Sequence, residues 1–267
     1  PALQTAAAVR SLPAEPVGEI VFRDVSFAYE GATHQALHDF SMILPAGSVT
    51  AVVGHNGAGK STLIKLLCRL YDPQQGTVQF DGIDLRELDP EELRRRITVL
   101  FQEPVHYHAS VNENIAMGRL DADQETIRAA AVAAGADGPI QRLARGYETV
   151  LGKWFGGAEL SVGEWQRLAL ARAFLRDAPV IVLDEPTSAM DSWAEADWLD
   201  RFRDMTRGHT VLMITHRFTT AMHADRILLM DEGRVVESGS HAELVALGGQ
   251  YAVSWRHQMK ELGHAEA

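Results

Sequence analysis

Gly54-His55-Asn56-Gly57-Ala58-Gly59-Lys60-Ser61-Thr62 is the stretch on which the fold turns. It matches the phosphate-loop pattern, and each residue type in it has a physical reason. Glycines let backbone N–H groups fold around a β-phosphate without side-chain collision. Lys60 sets a point charge between the β- and γ-phosphates, and the Ser61 hydroxyl suits Mg²⁺. Just upstream, Ser48-Val49-Thr50-Ala51-Val52-Val53 is a β-branched run of the kind found in buried parallel strands. Downstream, residues 60–70 carry apolar side chains at helical spacing. The stretch therefore predicts strand, loop and helix in that order, with the helix N-terminus aimed at the anion. It makes Gly54, His55, Asn56, Gly57, Ala58, Gly59, Lys60, Ser61 and Thr62 the candidate contacts to ATP.

Outward from the loop, residues 19–29 alternate apolar and polar side chains, as a half-exposed antiparallel strand does. A short strand is expected at 41–44, closed by the turn Pro45-Ala46-Gly47. Asp89-Pro90-Glu91-Glu92 reads as a helix start, with Asp89 as cap, Pro90 in the first turn and Glu92 completing a capping box. Residues 97–101 form another apolar strand. From about 103 the strands give way to Ala-rich helical patterns, such as 124–134, which predicts an inserted helical subdomain over about 103–178. Strands return at 180–183, 210–214 and 226–230, followed by the turn Asp231-Glu232-Gly233-Arg234 and a mostly helical tail from His241. Strands alternating with helices imply a parallel α/β sheet. The expected fold is thus a P-loop NTPase with a mainly parallel core sheet, an N-terminal antiparallel β subdomain and an inserted α-helical subdomain. Ala- and Pro-rich residues 1–18 read as a linker, 19–262 as the ATPase domain and 263–267 as a tail.

The chain has 267 residues, 46% of them hydrophobic, with a formal net charge of -11. That acidity argues against a nucleic-acid partner, whose affinity rests on Lys and Arg neutralising phosphates. The single cysteine, Cys68, has no internal disulfide partner and sits in an apolar run that predicts a buried helix position. Residues 1–16 lack the basic and apolar regions of a secretory signal, so no leader is expected there. No run approaches the roughly 18 apolar residues of a membrane-spanning helix.

Two further stretches carry chemistry. Val180-Ile181-Val182-Leu183-Asp184-Glu185 is an apolar strand ending in two carboxylates. A parallel sheet brings such an end beside the phosphate loop, where Asp184 reaches the magnesium shell and Glu185 is suited to polarise an attacking water. Leu160-Ser161-Val162-Gly163-Glu164-Trp165-Gln166-Arg167 has Ser161 and Glu164 at capping-box spacing. They open a helix whose N-terminus is either a plain cap or an anion site.

In this last stretch the sequence resembles the nucleotide-binding domain of ATP-binding cassette transporters, whose signature is Leu-Ser-Gly-Gly-Gln followed by Gln-Arg. The resemblance extends over nearly all of residues 19–262. It implies that Tyr29 stacks on adenine, that Gln102 contacts magnesium and the attacking water, and that His216 holds the γ-phosphate. It also implies that Asp191, in Ser188-Ala189-Met190-Asp191, signals across a dimer. Lys60, Glu185, His216 and Gln102 are then the catalytic set, and Ser61, Gln102 and Asp184 the magnesium ligands. Ser161, Gly163 and Glu164 would close the ATP site of a second chain in a head-to-tail dimer, most simply a homodimer. Residues 102–115 would meet a transmembrane domain at the cytoplasmic face of a membrane. The linker, with Asp81-Gly82-Ile83-Asp84-Leu85 later in the chain, resembles exporters in which membrane helices precede the ATPase.

Val162 departs from the signature, since a β-branched side chain approaches a phosphate less closely than glycine. Glu164 stands where Gln is usual. His106 and His108, two apart and without a nearby acid or cysteine, read as solvent or partner contacts rather than metal ligands. Trp193, Trp198, Leu199, Phe202 and Met205 are expected on one buried helix face behind a capping box formed by Ser192 and Glu195. The rival readings are a soluble cassette ATPase acting on nucleic acid or ribosomes and a phosphate-loop kinase. The first is disfavoured by the single cassette and acidity, the second by the residue 160–167 signature.

Overall fold

The computed structural model describes residue 3 and residues 9–152, 157–190 and 192–265. In chain order the strands are β1 (Ile20–Phe27), β2 (Leu37–Leu44), β3 (Val49–Gly54), β4 (Gln75–Phe80), β5 (Ile83–Asp84), β6 (Ile97–Leu100), β7 (Val180–Asp184), β8 (Thr210–Ile214), β9 (Arg226–Asp231) and β10 (Arg234–Gly239). The α-helices are α1 (Lys60–Leu67), α2 (Pro90–Arg95), α3 (Val111–Ala116), α4 (Gln124–Ala133), α5 (Asp137–Gln141), α6 (Val162–Leu175), α7 (Ser192–Met205), α8 (Phe218–Ala221), α9 (His241–Leu247) and α10 (Gln250–Ala265).

The strands form two sheets. One is antiparallel in the order β2-β1-β4-β5. The other runs β10-β9-β3-β8-β7-β6 and is parallel except for the β9–β10 hairpin. Val49 through Val53 are all buried, which is why this β-branched run takes the centre of the parallel sheet. Register matters more for the site than order does. Val52 lies opposite Ile214, Asp184 opposite Ile214, and Leu100 opposite Leu183, so β3, β8, β7 and β6 end nearly level at one edge.

The core has two clusters. Phe22, Phe27, Phe40 and Phe80 from the antiparallel sheet close over α1 and one face of the parallel sheet. At about 1.5–3 kcal/mol for each fully buried phenyl group, this contact fixes the antiparallel layer against α1. The other face is covered by α3, α4, α6 and α7 through Ile115, Ile127, Leu168 and Phe202. Capping boxes start α3 (Ser110 with Glu113), α6 (Ser161 with Glu164) and α9 (Ser240 with Glu243), each worth about 1 kcal/mol. Cys68 is buried, and burial pushes its thiol up to about 11.

Local structure departs from the sequence expectation at several points. β2 begins at Leu37 rather than 41, because Asp39 adopts a left-handed φ of 44° where the β1–β2 register shifts, and that irregularity breaks the apolar alternation. Asp89 does cap α2, accepting from the Glu91 and Glu92 amides, but Glu92 does not complete a box. Its carboxylate accepts from the Leu12 amide at 3.1 Å instead. Residues 10–12 are accordingly docked rather than free: Leu12 is buried, the Arg10 amide donates to the Glu87 carbonyl, and Arg10 pairs with Glu87 at 3.1 Å. On α7, Trp198 and Phe202 are buried and stacked, whereas Trp193 is 88% exposed. The Ser192 side chain lies outside the described residues, and the Glu195 carboxylate is bonded to Thr187, Thr220 and Arg217. The last helix runs through Ala265.

Candidate active site

β3 delivers the loop of residues 54–59 to the sheet edge, and α1 starts at Lys60. A Cβ on Gly54 would lie 2.3 Å from the Met230 carbonyl oxygen and one on Gly59 2.5 Å from that of Ala36, so glycine is required at both. Buried Lys60 donates from Nζ to the Gly54 and His55 carbonyls at 2.6 and 2.9 Å, which holds its ammonium inside the loop. Burial lowers its pKa, while Glu185 and Asp184 pull in the opposite direction.

β7 ends in the two carboxylates. Burial, and then the neighbouring charge of Glu185, raise Asp184 to about 6 against the opposing pull of Lys60. Glu185 has φ of 52°, a left-handed conformation that costs a non-glycine residue about 1–3 kcal/mol unless its surroundings hold it. They do. Its amide donates to the Ile214 carbonyl at 2.8 Å, and its own carbonyl accepts from Gln166 Nε2 at 3.1 Å. Its Oε1 is 2.8 Å from His216 Nδ1, and its Oε2 accepts from the Thr215 hydroxyl at 3.3 Å.

A cavity of about 290 Å³ is lined by Tyr29, Asn56, Gly57, Gly59, Lys60, Ser61, Thr62, Gln102, Asp184 and Glu185. A second, of about 620 Å³, is lined by Gly54, His55, Asn56, Gln102, Glu185 and His216. Asn56, Gln102 and Glu185 belong to both, so the two form one cleft of the size that holds a small ligand. Ala58, within the loop, is buried and lines neither cavity. Tyr29 stands at the cleft wall, its hydroxyl 3.1 Å from Thr62 Oγ1 and its ring edge-on to Phe27 and Tyr71. Ser61, Gln102 and Asp184 bring oxygen atoms to one cavity, the donor chemistry that a hard divalent cation such as Mg²⁺ takes.

Ser161, Gly163 and Glu164 line neither cavity. They form the first turn of α6, where the Ser161 amide donates to Glu164 at 2.9 Å and the Glu164 amide to Ser161 Oγ at 3.3 Å. Burial opposes ionisation of Glu164, but its two bonds from Ser161 outweigh that and lower its pKa. Val162 is 70% exposed beside them. Asp191 lies outside the described residues. His106 stacks on Trp165 at 4.1 Å, and among the described residues no three His, Cys, Asp or Glu side chains are grouped to hold a metal. Thr215, Gln166, Thr187 and Glu195 complete the surroundings of Glu185 and His216. Of these, the sequence names Gln166 within the residue 160–167 stretch and Glu195 as a helix cap, and it singles out neither Thr215 nor Thr187.

The arrangement has counterparts. The family model described as ABC transporter matches residues 37–188. The chain is 41% identical over 245 residues to the ATP-dependent lipid A-core flippase of Hahella chejuensis, covering 91% of this chain and 42% of that protein. It is 44% identical over 254 residues to the mitochondrial potassium channel ATP-binding subunit of Xenopus tropicalis, covering 93% and 36%. It is also 42% identical over 240 residues to the beta-(1-->2)glucan export ATP-binding/permease protein NdvA of Nitrobacter winogradskyi, covering 90% and 39%. The structure of a bacterial Atm1-family ABC exporter with ATP bound superposes with a TM-score of 0.88 at 36% identity, over 95% of this chain and 44% of that one. The chain spans about two fifths of the length of the curated relatives it matches.

Proposed function

This chain belongs to the ABC transporter family, and we propose that it is the ATP-hydrolysing motor of an exporter, closing on ATP as a head-to-tail dimer. The observation that carries this reading is the single cleft in which the phosphate loop, Asp184, Glu185 and His216 meet. Tyr29 stacks on the adenine. Residues 54–62 hold the phosphates through backbone N–H groups, with the Lys60 ammonium between the β and γ positions. Ser61, Gln102 and Asp184 would hold Mg²⁺, which when bound would neutralise charge on the phosphates. Glu185 takes a proton from the attacking water as that oxygen bonds to the γ-phosphorus and the bond to ADP breaks. His216 orients Glu185 and meets the γ-phosphate.

The first turn of α6 lines no part of its own cleft, which suits service to a second copy: Ser161, Gly163 and Glu164 contact the γ-phosphate held by the partner, and Asp191 couples the two sites. Residues 102–115 are the contact to a transmembrane domain at the cytoplasmic face. Beside them a cleft of about 300 Å³ is lined by Phe101, Val105, Tyr107 and Met117, with Val105 well exposed. Among the described residues no helix is long and apolar enough to cross a membrane, so the passage itself is assigned to other helices. Residues 19–262 form the motor domain, with 103–178 as its helical subdomain, 1–18 as the linker and 263–267 as the tail.

The test is phosphate release from MgATP, measured alongside transfer to a panel of phosphoacceptors. ADP and free phosphate in equal amounts with no phosphorylated acceptor, both lost in Lys60→Ala, are the expected result. A phosphorylated acceptor would make the chain a kinase.

A further inference from the structure

Glu185 and His216 leave neighbouring strands, and the ladder that aligns them stops at Asp184 and Ile214. Beyond that point each residue is followed by a loop, and the two loops need a tie of their own. Glu195, on the first turn of α7, supplies one. Its Oε1 accepts from the Thr187 hydroxyl at 3.0 Å and from the Thr220 hydroxyl at 2.5 Å, and its Oε2 is paired with Arg217 Nη1. Thr187 is two residues beyond Glu185, and Arg217 immediately follows His216.

The tie continues into the dyad. The Arg217 amide donates to Thr215 Oγ1 at 3.0 Å, and that hydroxyl donates to Glu185 Oε2 at 3.3 Å. Thr187 and Thr220 are 1% and 0% exposed, and the Glu195 side chain is 13% exposed, so these bonds are shielded from competing water. Removing one member of such a buried set leaves the other polar groups without partners.

We propose that Glu195 is a positioning residue for hydrolysis: it clamps the loop after Glu185 to the loop after His216 and so keeps the carboxylate–imidazole pair aligned without touching substrate. The proposal rests on the ATPase reading above. It accounts for a charged, nearly buried side chain placed outside the cleft.

Steady-state MgATP hydrolysis by the unsubstituted chain, Glu195→Ala, Glu195→Gln and each of these combined with His216→Ala tests it. Loss of the clamp displaces the dyad, and small misplacements of this kind cost about 10- to 100-fold, so kcat of Glu195→Ala should fall by that much with KM for ATP within about twofold. Glu195→Gln keeps an oxygen for the two threonines and loses the charge opposite Arg217, so its kcat should lie between the two. In the His216→Ala background the penalty of Glu195→Ala should shrink, because the partner it aligns is gone. Unchanged kcat, a rise confined to KM, or penalties that multiply in full would each overturn the proposal. If Glu195→Ala does not fold, the same comparison is read from Glu195→Gln. Absence of hydrolysis in the unsubstituted chain would instead refute the ATPase reading, and this inference with it.

Discussion

His216 Nδ1 lies 2.8 Å from Glu185 Oε1, although 31 positions separate the two residues in the chain. The contact exists because β7 and β8 are parallel neighbours in register, and because the left-handed φ of Glu185 turns its side chain across the strand end. Glu185→Gln keeps the shape of this pair but removes the proton acceptor. Turnover should drop about 100- to 10,000-fold while ATP binding persists, and the ATP-bound chain should run as a dimer on sizing. Hydrolysis at the unsubstituted rate would remove Glu185 from the role of base.

Asp184 has to give up its proton before it serves Mg²⁺. Its folded pKa of about 6 stands above the ordinary carboxyl value of 3.8, so in the metal-free chain its contribution to stability is present below that ordinary value and is lost as pH rises through about 6. Metal binding runs the other way. The Mg²⁺ concentration needed for half-maximal hydrolysis should rise as pH falls below about 6, and the acid limb assigned to Asp184 should be missing from Asp184→Asn binding curves measured by calorimetry.

Ser161→Ala removes both the cap of α6 and the hydroxyl offered to a second chain. The helix should lose about 1 kcal/mol, visible as a small fall in Tm. Hydrolysis should fall far more than that, with ATP affinity of the monomer within about twofold of its original value. A large loss of monomer affinity would argue for a site complete in one chain.

Val162 is exposed and supports no core contact, so replacing it tests its effect on the dimer with little interference from folding. Val162→Gly should tighten the ATP-driven dimer at a cost of no more than about 1 kcal/mol to the start of α6, to be read by sedimentation and thermal melts respectively. An unchanged dimer constant would discard the steric argument.

The parts of the site that could be read from the sequence are those written in consecutive residues. The phosphate loop between β3 and α1, the acids ending β7 and the box opening α6 each follow from spacings of a few residues. Side chains whose partners lie elsewhere could not be read this way. Glu92 and Glu195 both have the local spacing of a capping box, but each is taken by a partner that folding brings in: the Leu12 amide, 80 positions away, and Arg217, 22 away. Trp193 fits the apolar stripe of α7 and is nevertheless exposed, since periodicity counts positions without showing where the core ends. The bonds from Gln166 and Thr215 to Glu185 were hidden for the same reason.

The level strand ends have a consequence for manufacturing tolerance. A slip of one residue along β6, β7 or β8 would carry its terminal group about 3.3 Å out of line and turn it to the opposite face, so the sheet acts as a gauge block against which the chemistry is set. Dimensional accuracy then resides in the hardest part of the molecule to open, and the amides of Val182 and Leu212, buried mid-strand, should exchange with solvent only when the whole chain unfolds. A single deletion inside β7 would destroy that gauge.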